Sequence, residues 1–175
     1  LVRTQGIEHL PSPREGFVRV RVEAGHGWDD LVAYAAAEGL SGIVAMSGIP
    51  GTVGAAPVQN IGAYGQEIVE TLIEVELIDE VTGEVSVVPA AELGLGFRTS
   101  VLKHHYGSVA ERSAVVLSVT LELREVGHSP FALSGAQLRQ ALGVADGDGV
   151  TLEWVRQTVL ATRARKGMVL DDADP

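Results

Sequence analysis

The chain has 175 residues, of which 46% are hydrophobic and 21% charged, enough apolar material for a packed core and too much for an intrinsically disordered chain. Its net charge of −10 argues against nucleic acid, whose binding rests on neutralising phosphates with Lys and Arg, and against anionic membrane surfaces. There is no cysteine, which removes disulfides and thiolate chemistry and suits a reducing cytoplasm, and no stretch reads as a signal peptide or a membrane span.

Residues 17–23 alternate apolar and charged side chains with the period of a strand, and Gly25-His26-Gly27 ends it. Asp29 or Asp30 is placed to cap a helix over residues 31–38, which Gly39 stops. From Gly39 to Gln66 there is no charged residue at all. Pro50, Pro57, Gln59, Asn60 and six glycines from Gly42 onward rule out a membrane span within that run. Ile43, Val44, Met46, Ile49, Val53, Val58, Ile61 and Tyr64 can all pack, so it is not a linker either. Such a run is either a tightly turned core segment or a loop that lines a cofactor, where glycines permit close approach and positive φ. A strand over residues 73–79, a Thr82-Gly83 turn and a strand over residues 84–88 make a hairpin. Pro89 opens a short helix, and residues 115–123 form a further strand. After Arg124 the composition shifts. Residues 127–130 read as a linker, residues 137–142 and 152–166 as helices, separated by Asp146-Gly147-Asp148-Gly149. The pattern is α+β, an antiparallel sheet with flanking helices followed by the start of a second domain.

Three groups of residues invite chemistry. Arg98, just after Gly94 and Gly96, can fork onto a carboxylate or sit in a surface salt bridge. The helix that holds Arg156, Arg163, Arg165 and Lys166 carries no acid after Glu153. Arg156 and Arg163 share one face of it, so the group is either a diphosphate site or a solvated helix end with cations at its negative pole. Gln59 and Asn60 are amides in an apolar run and need partners, from a ligand or from the loop's own backbone. No metal site is expected. His104 and His105 are adjacent and point to opposite faces of a strand, and Asp171, Asp172 and Asp174 lack the spacing and closing glutamate of a calcium loop.

Residues 47–65, Ser-Gly-Ile-Pro-Gly-Thr-Val-Gly-Ala-Ala-Pro-Val-Gln-Asn-Ile-Gly-Ala-Tyr-Gly, closely resemble the signature of the UDP-N-acetylenolpyruvoylglucosamine reductase family. Three further blocks agree in order and spacing: Gly96-Phe97-Arg98-Thr99-Ser100-Val101-Leu102-Lys103, residues 114–123, and residues 163–171, Arg-Ala-Arg-Lys-Gly-Met-Val-Leu-Asp. The resemblance covers nearly the whole chain and is weakest over residues 126–149. It implies the second lobe of a two-lobe FAD-binding fold of the vanillyl-alcohol-oxidase type over residues 1–125, and the start of a substrate-binding domain over residues 126–175. It also implies a central fragment, without the family's N-terminal glycine-rich loop for the flavin diphosphate and without its C-terminal serine proton donor and glutamate. The fragment alone is therefore expected to be inactive.

The activity implied is cytoplasmic, monomeric and part of cell-wall synthesis. NADPH reduces FAD, and the flavin passes hydride to the enolpyruvyl group of a UDP-sugar, giving UDP-N-acetylmuramate for peptidoglycan. By resemblance Ile49, Pro50, Gly51, Gly54, Ala55, Ala56, Gln59, Asn60, Ile61, Gly62 and Val115 meet the FAD, chiefly through backbone. Gly51, Gly54 and Gly62 are then expected to tolerate no side chain, and Gly54→Val to remove flavin without unfolding the protein. Arg98 is the catalytic residue that steadies charge on the substrate carboxylate. Tyr64, Arg98, Arg163 and Lys166 bind the substrate. Two departures stand out: Phe97 lies where the family often has tyrosine, and Leu133-Ser134-Gly135 replaces a loop tyrosine that folds over the substrate diphosphate. A non-catalytic nucleotide- or partner-binding module of the same fold, and another FAD-dependent oxidase of the superfamily, are the alternatives. Bound yellow cofactor separates the first, and reactivity with oxygen the second.

Overall fold

The computed structural model describes residues 4–104 and 112–168. Five strands make the main sheet: β1 (Ile7–Pro11), β2 (Phe17–Glu23), β6 (Leu72–Asp79), β7 (Val85–Pro89) and β8 (Ala114–Glu125). Their order is β1-β2-β8-β6-β7, every pairing antiparallel, and the two-residue β3 (Leu40–Ser41) adds to the far end of β8. The expected strands and the β6–β7 hairpin are all present. Asp79 caps the hairpin turn by accepting from the amides of Val81 and Thr82, both at 2.8 Å.

Strand alternation sends Val20 and Val22, Val75 and Leu77, and Val119, Leu121 and Leu123 to one buried face. Helix α1 (Trp28–Ala37) covers that face with Trp28, Leu31, Val32 and Ala35. The helix begins at Gly27 without a side-chain cap, so neither Asp29 nor Asp30 does the capping expected of it. The uncharged run closes the core. It contributes Ile43, Met46, Val53, Ala56 and Ile61 and folds into single turns of 3-10 helix at Val44–Met46, Val53–Ala55 and Pro57–Gln59. Its end is a tight hairpin, β4 (Gly62–Ala63) to β5 (Gln66–Glu67).

Beyond β8 the chain forms β9 (Phe131–Ala132), α2 (Ala136–Leu142), β10 (Gly149–Val150) and α3 (Leu152–Ala164). Thr151 accepts from the Trp154 amide and caps α3. Leu133, Leu138, Leu152, Val155 and Val159 bury themselves in a second cluster together with Ala36, Val44 and Ala45. These helices therefore pack on α1 and on the approach to the signature rather than standing apart from them. Among the described residues no helix is long and apolar enough to cross a membrane.

Candidate functional site

The signature is held by its backbone. The Trp28 amide donates to Gly51 O at 3.0 Å, and its indole Nε1 donates to Met46 O at 3.2 Å. The amides of Val53 and Gly54 donate to the carbonyls of His26 and Ala24, each at 2.9 Å. Ala24, Gly25, Thr52, Gly54, Val58 and Val115 line a groove of about 300 Å³ between the end of β2 and the start of β8. Its walls are small and mostly apolar. At Gly51, with φ +121°, an added Cβ would meet nothing within 4 Å. Ligand pockets run from about 300 to 1,000 Å³, so these residues fit a flat ring and a backbone contact beside it, but not a whole dinucleotide.

The glycines sort differently from expectation. A Cβ on Gly54 would lie 2.6 Å from the Cβ of Ala24, and one on Gly62 would lie 2.5 Å from Gln66 O. Protein fills both places, so a side chain at Gly54 would press on β2 at Ala24, and Gly54→Val is expected to strain the fold as well as the groove. Only Gly51 of the three faces open space. Among the other FAD-contact candidates, Ala56 and Ile61 are turned into the core, Pro50, Ala55 and Gln59 are exposed, and Ile49 packs at the core's edge. Gly54 and Val115 both line the groove.

Asn60 is 1% exposed at φ +44°, and the protein satisfies its amide. Nδ2 donates to Glu67 Oε2 at 2.8 Å and to Gly96 O at 3.1 Å, while Oδ1 accepts from the Val69 amide at 3.2 Å. Of the two partners considered for it, the loop's own surroundings answer. The bond to Gly96 is one of three that join the arginine block to the signature. Ser100 Oγ donates to Val58 O at 2.6 Å, and Arg98 Nη2 donates to Gly62 O at 2.8 Å. Gly96 and Thr99 exchange backbone bonds around the two-residue turn of Phe97 and Arg98. Arg98 stands there at φ +54°, in the left-handed region a non-glycine residue rarely occupies, with Lys103 Nζ donating to its carbonyl at 2.6 Å. The Arg98 side chain is exposed, and Phe97 is 86% exposed beside it. Tyr64 is the first residue of the β4–β5 turn, at φ +53°, and its ring rests half-buried on the second core cluster.

The basic helix is more committed than its sequence suggests. Arg156 pairs with Asp29 through both nitrogens, at 2.6 and 2.8 Å, and so is no free cation. Asp29 Oδ1 also accepts from the Gly48 amide at 2.7 Å. Burial raises the Asp29 pKa, but the bonds from Arg156 and Gly48 and the charges of Arg156 and Arg163 outweigh it and hold the carboxyl below its ordinary range. Arg163 Nη2 donates to Gly48 O at 3.3 Å and to Met168 O at 3.0 Å, and its Nε is buried without a partner. Lys166 is exposed. Sequence reasoning missed Asp29, Lys103 and Ser100 as parts of this framework. At the place of the family's loop tyrosine, Leu133 is buried and its carbonyl accepts from Arg139 Nη1 at 3.0 Å, which pins the loop. Among the described residues no group of three or more His, Cys, Asp or Glu could hold a metal, and His105, Asp171, Asp172 and Asp174 lie outside them.

The chain is similar to known proteins along most of its length. Residues 12–88 match the FAD binding domain family. The UDP-N-acetylenolpyruvoylglucosamine reductase of Leifsonia xyli subsp. xyli is 52% identical over 179 residues, covering 98% of this chain and 46% of the relative. The enzyme of the same name from Salinispora arenicola is 46% identical and covers 100% of this chain and 46% of its own length. Among solved structures, the UDP-N-acetylenolpyruvylglucosamine reductase of Thermus caldophilus superposes with a TM-score of 0.56 at 29% identity, over 84% of this chain and 43% of that one. The chain thus spans about half the length of the curated relatives it matches.

Proposed function

The chain belongs to the UDP-N-acetylenolpyruvoylglucosamine reductase family, and from that premise we propose that it is the flavin- and substrate-contacting middle of an FAD-dependent oxidoreductase. The reaction is reduction of the enolpyruvyl ether of UDP-N-acetylglucosamine to UDP-N-acetylmuramate in peptidoglycan synthesis, with NADPH as reductant. The division of labour follows the end of β8: residues 1–125 form the flavin lobe, and residues 126–175 begin the substrate domain.

The observation that carries this reading is the joining of the Arg98 turn to the signature by the bonds from Asn60, Arg98 and Ser100, the last of them to Val58 in the wall of the groove. Gly51 and Thr52, with Gly54 and Val115 behind them, would hold the ring of the cofactor. When bound, FAD supplies the hydride relay between nicotinamide and enolpyruvyl carbon. The residues of this chain bind and stabilise charge. Arg98 presents a fixed guanidinium where the substrate carboxylate gains negative character, and a donor already in place costs no reorganisation as that charge grows. Tyr64, on the turn after Gly62 and Ala63, would meet the substrate from the second core cluster on which its ring rests. Lys166 and the end of α3 meet the nucleotide diphosphate, as a compact cation does.

The test is to purify the protein that carries this sequence, record its visible spectrum and assay NADPH oxidation that depends on UDP-N-acetylglucosamine enolpyruvate. A yellow protein with substrate-dependent turnover is expected. A colourless protein that binds UDP would replace this reading with that of a non-catalytic nucleotide-binding module.

A further inference from the structure

Gly48 is gripped on both sides by charged side chains from two helices far apart in sequence. Its N–H donates to Asp29 Oδ1 of α1 at 2.7 Å, and its carbonyl accepts from Arg163 Nη2 of α3 at 3.3 Å. The residue itself is at φ +73°, where little but glycine is at ease, so the orientation of this peptide depends on what holds it. Asp29 is the shared element. While its Oδ1 receives the Gly48 amide, both of its oxygens receive the guanidinium of Arg156, at 2.6 and 2.8 Å and across 127 positions of sequence. The Arg156 side chain is only 17% exposed and that of Asp29 38%, so the pair is shielded from water on the arginine side and partly open on the carboxylate side. Charge-assisted, two-pronged bonds of this kind fix geometry as well as adding energy.

We propose that Asp29 is a positioning residue that sets two surfaces in one frame: the signature loop, through the Gly48 amide, and helix α3 with its Arg163 and Lys166, through Arg156. The proposal rests on the reductase reading, in which the first surface meets FAD and the second meets the nucleotide. Asp29 touches neither ligand. It acts through Gly48 on one arm and through Arg156 on the other.

The two arms separate by substitution. Arg156→Met cuts the bond of α3 to Asp29 and leaves the Asp29–Gly48 bond, while Arg163 still reaches Gly48 O. Asp29→Ala removes both arms. Arg156→Lys keeps a charge but loses the fork, and so falls between wild type and Arg156→Met. In the full-length holoprotein, FAD affinity is read from flavin fluorescence and UDP affinity from calorimetry, neither of which needs turnover. A hydrogen bond to a charged group is worth enough that its loss should weaken the ligand it positions by about tenfold. Arg156→Met is expected to weaken UDP by about tenfold and to leave FAD affinity within about twofold, with KM for the UDP-sugar rising more than kcat falls. Asp29→Ala is expected to weaken both ligands. Variants that keep both affinities and lose only melting temperature would make the pair an ordinary stabilising contact and overturn the proposal. Equal weakening of FAD and UDP by Arg156→Met would overturn it too, since the arms would not be separate. A wild-type protein that binds neither FAD nor UDP would overturn the reductase reading, and the proposal with it. The first two failures leave that reading standing.

Discussion

Two arginines reach the two ends of the same signature, and they are held in opposite ways. Arg163 extends from a regular helix to Gly48 O, half-buried, in a cluster whose charge Asp29 balances. Arg98 reaches back from a left-handed turn to Gly62 O, exposed to solvent. The helix is an anchor, because Arg156 is paired with Asp29 and Arg163 is bonded to the Gly48 and Met168 carbonyls. The turn is poised, because a left-handed backbone holds its guanidinium at the surface, where it bonds Gly62 O. Strain of this kind persists only where surrounding contacts over-determine it. Here those contacts are Asn60, Ser100 and Lys103.

The contrast is most directly broken at Asn60. Asn60→Ala removes the bonds to the Glu67 carboxylate, the Gly96 carbonyl and the Val69 amide, and leaves alanine at φ +44° with no side-chain bond to hold it there. Three lost hydrogen bonds at roughly 0.5–1.5 kcal/mol each, one of them to a carboxylate, give an expected loss of about 3 kcal/mol in unfolding free energy by urea titration. A loss under about 1 kcal/mol would mean that the turn keeps its shape without Asn60. Next in size is Arg98→Lys. It keeps the charge but gives up the fork, and turnover is expected to fall about a hundredfold, or about 2.7 kcal/mol of transition-state stabilisation. Flavin reduction by NADPH should be unchanged while reoxidation by the UDP-sugar slows. Equal slowing of both half-reactions would make Arg98 a structural residue like Arg163.

The elements with strong local patterns were legible in the sequence. Alternation marked β2 and β6, Thr82-Gly83 marked the hairpin, and β8 and α3 were read within a few residues of their bounds. The edge strand β1 and the two-residue strands were not, since a pair of residues carries no periodicity. The signature and the Arg98 block were visible as a family pattern, but what each residue does inside them was not. Gly54 and Gly62 looked like cofactor glycines, yet the space denied to a side chain belongs to Ala24 and Gln66. Asp29 looked like a helix cap, and its true partner lies 127 residues away, a pairing that no local rule announces.

Neutralising Arg163 and Lys166 together sharpens the comparison from the other side. KM for the UDP-sugar is expected to rise about tenfold, more at low than at high salt, because exposed charge is screened over roughly 8–10 Å at physiological ionic strength. The exposed Lys166 should carry the salt-dependent part. Arg163, bonded to Gly48 and Met168, should carry a part that salt leaves alone. An unchanged KM in the double variant would return both to the role of solvated helix-end cations. Equal salt dependence for the two single variants would erase the distinction between anchor and free charge.

The smallest effect expected is one of pH, and it tests whether the anchor is ionic at all. Asp29 has its pKa held below the ordinary 3.8, because Arg156, Gly48 and Arg163 together outweigh the cost of its burial. A carboxyl whose folded pKa is depressed contributes stability above its unfolded pKa of about 3.9, and loses that contribution as pH falls through the folded value. The unfolding free energy of wild type should therefore exceed that of Asp29→Asn by a constant amount from about pH 8 to pH 5, and the gap should narrow below about pH 4. The difference between wild type and Arg98→Lys should show no such narrowing, because the Arg98 bond to Gly62 O has no titrating acceptor. A gap at Asp29 that widens on acidification would reverse the sign of its shift, and with it the view that α3 is tied to the signature by an ionised carboxylate.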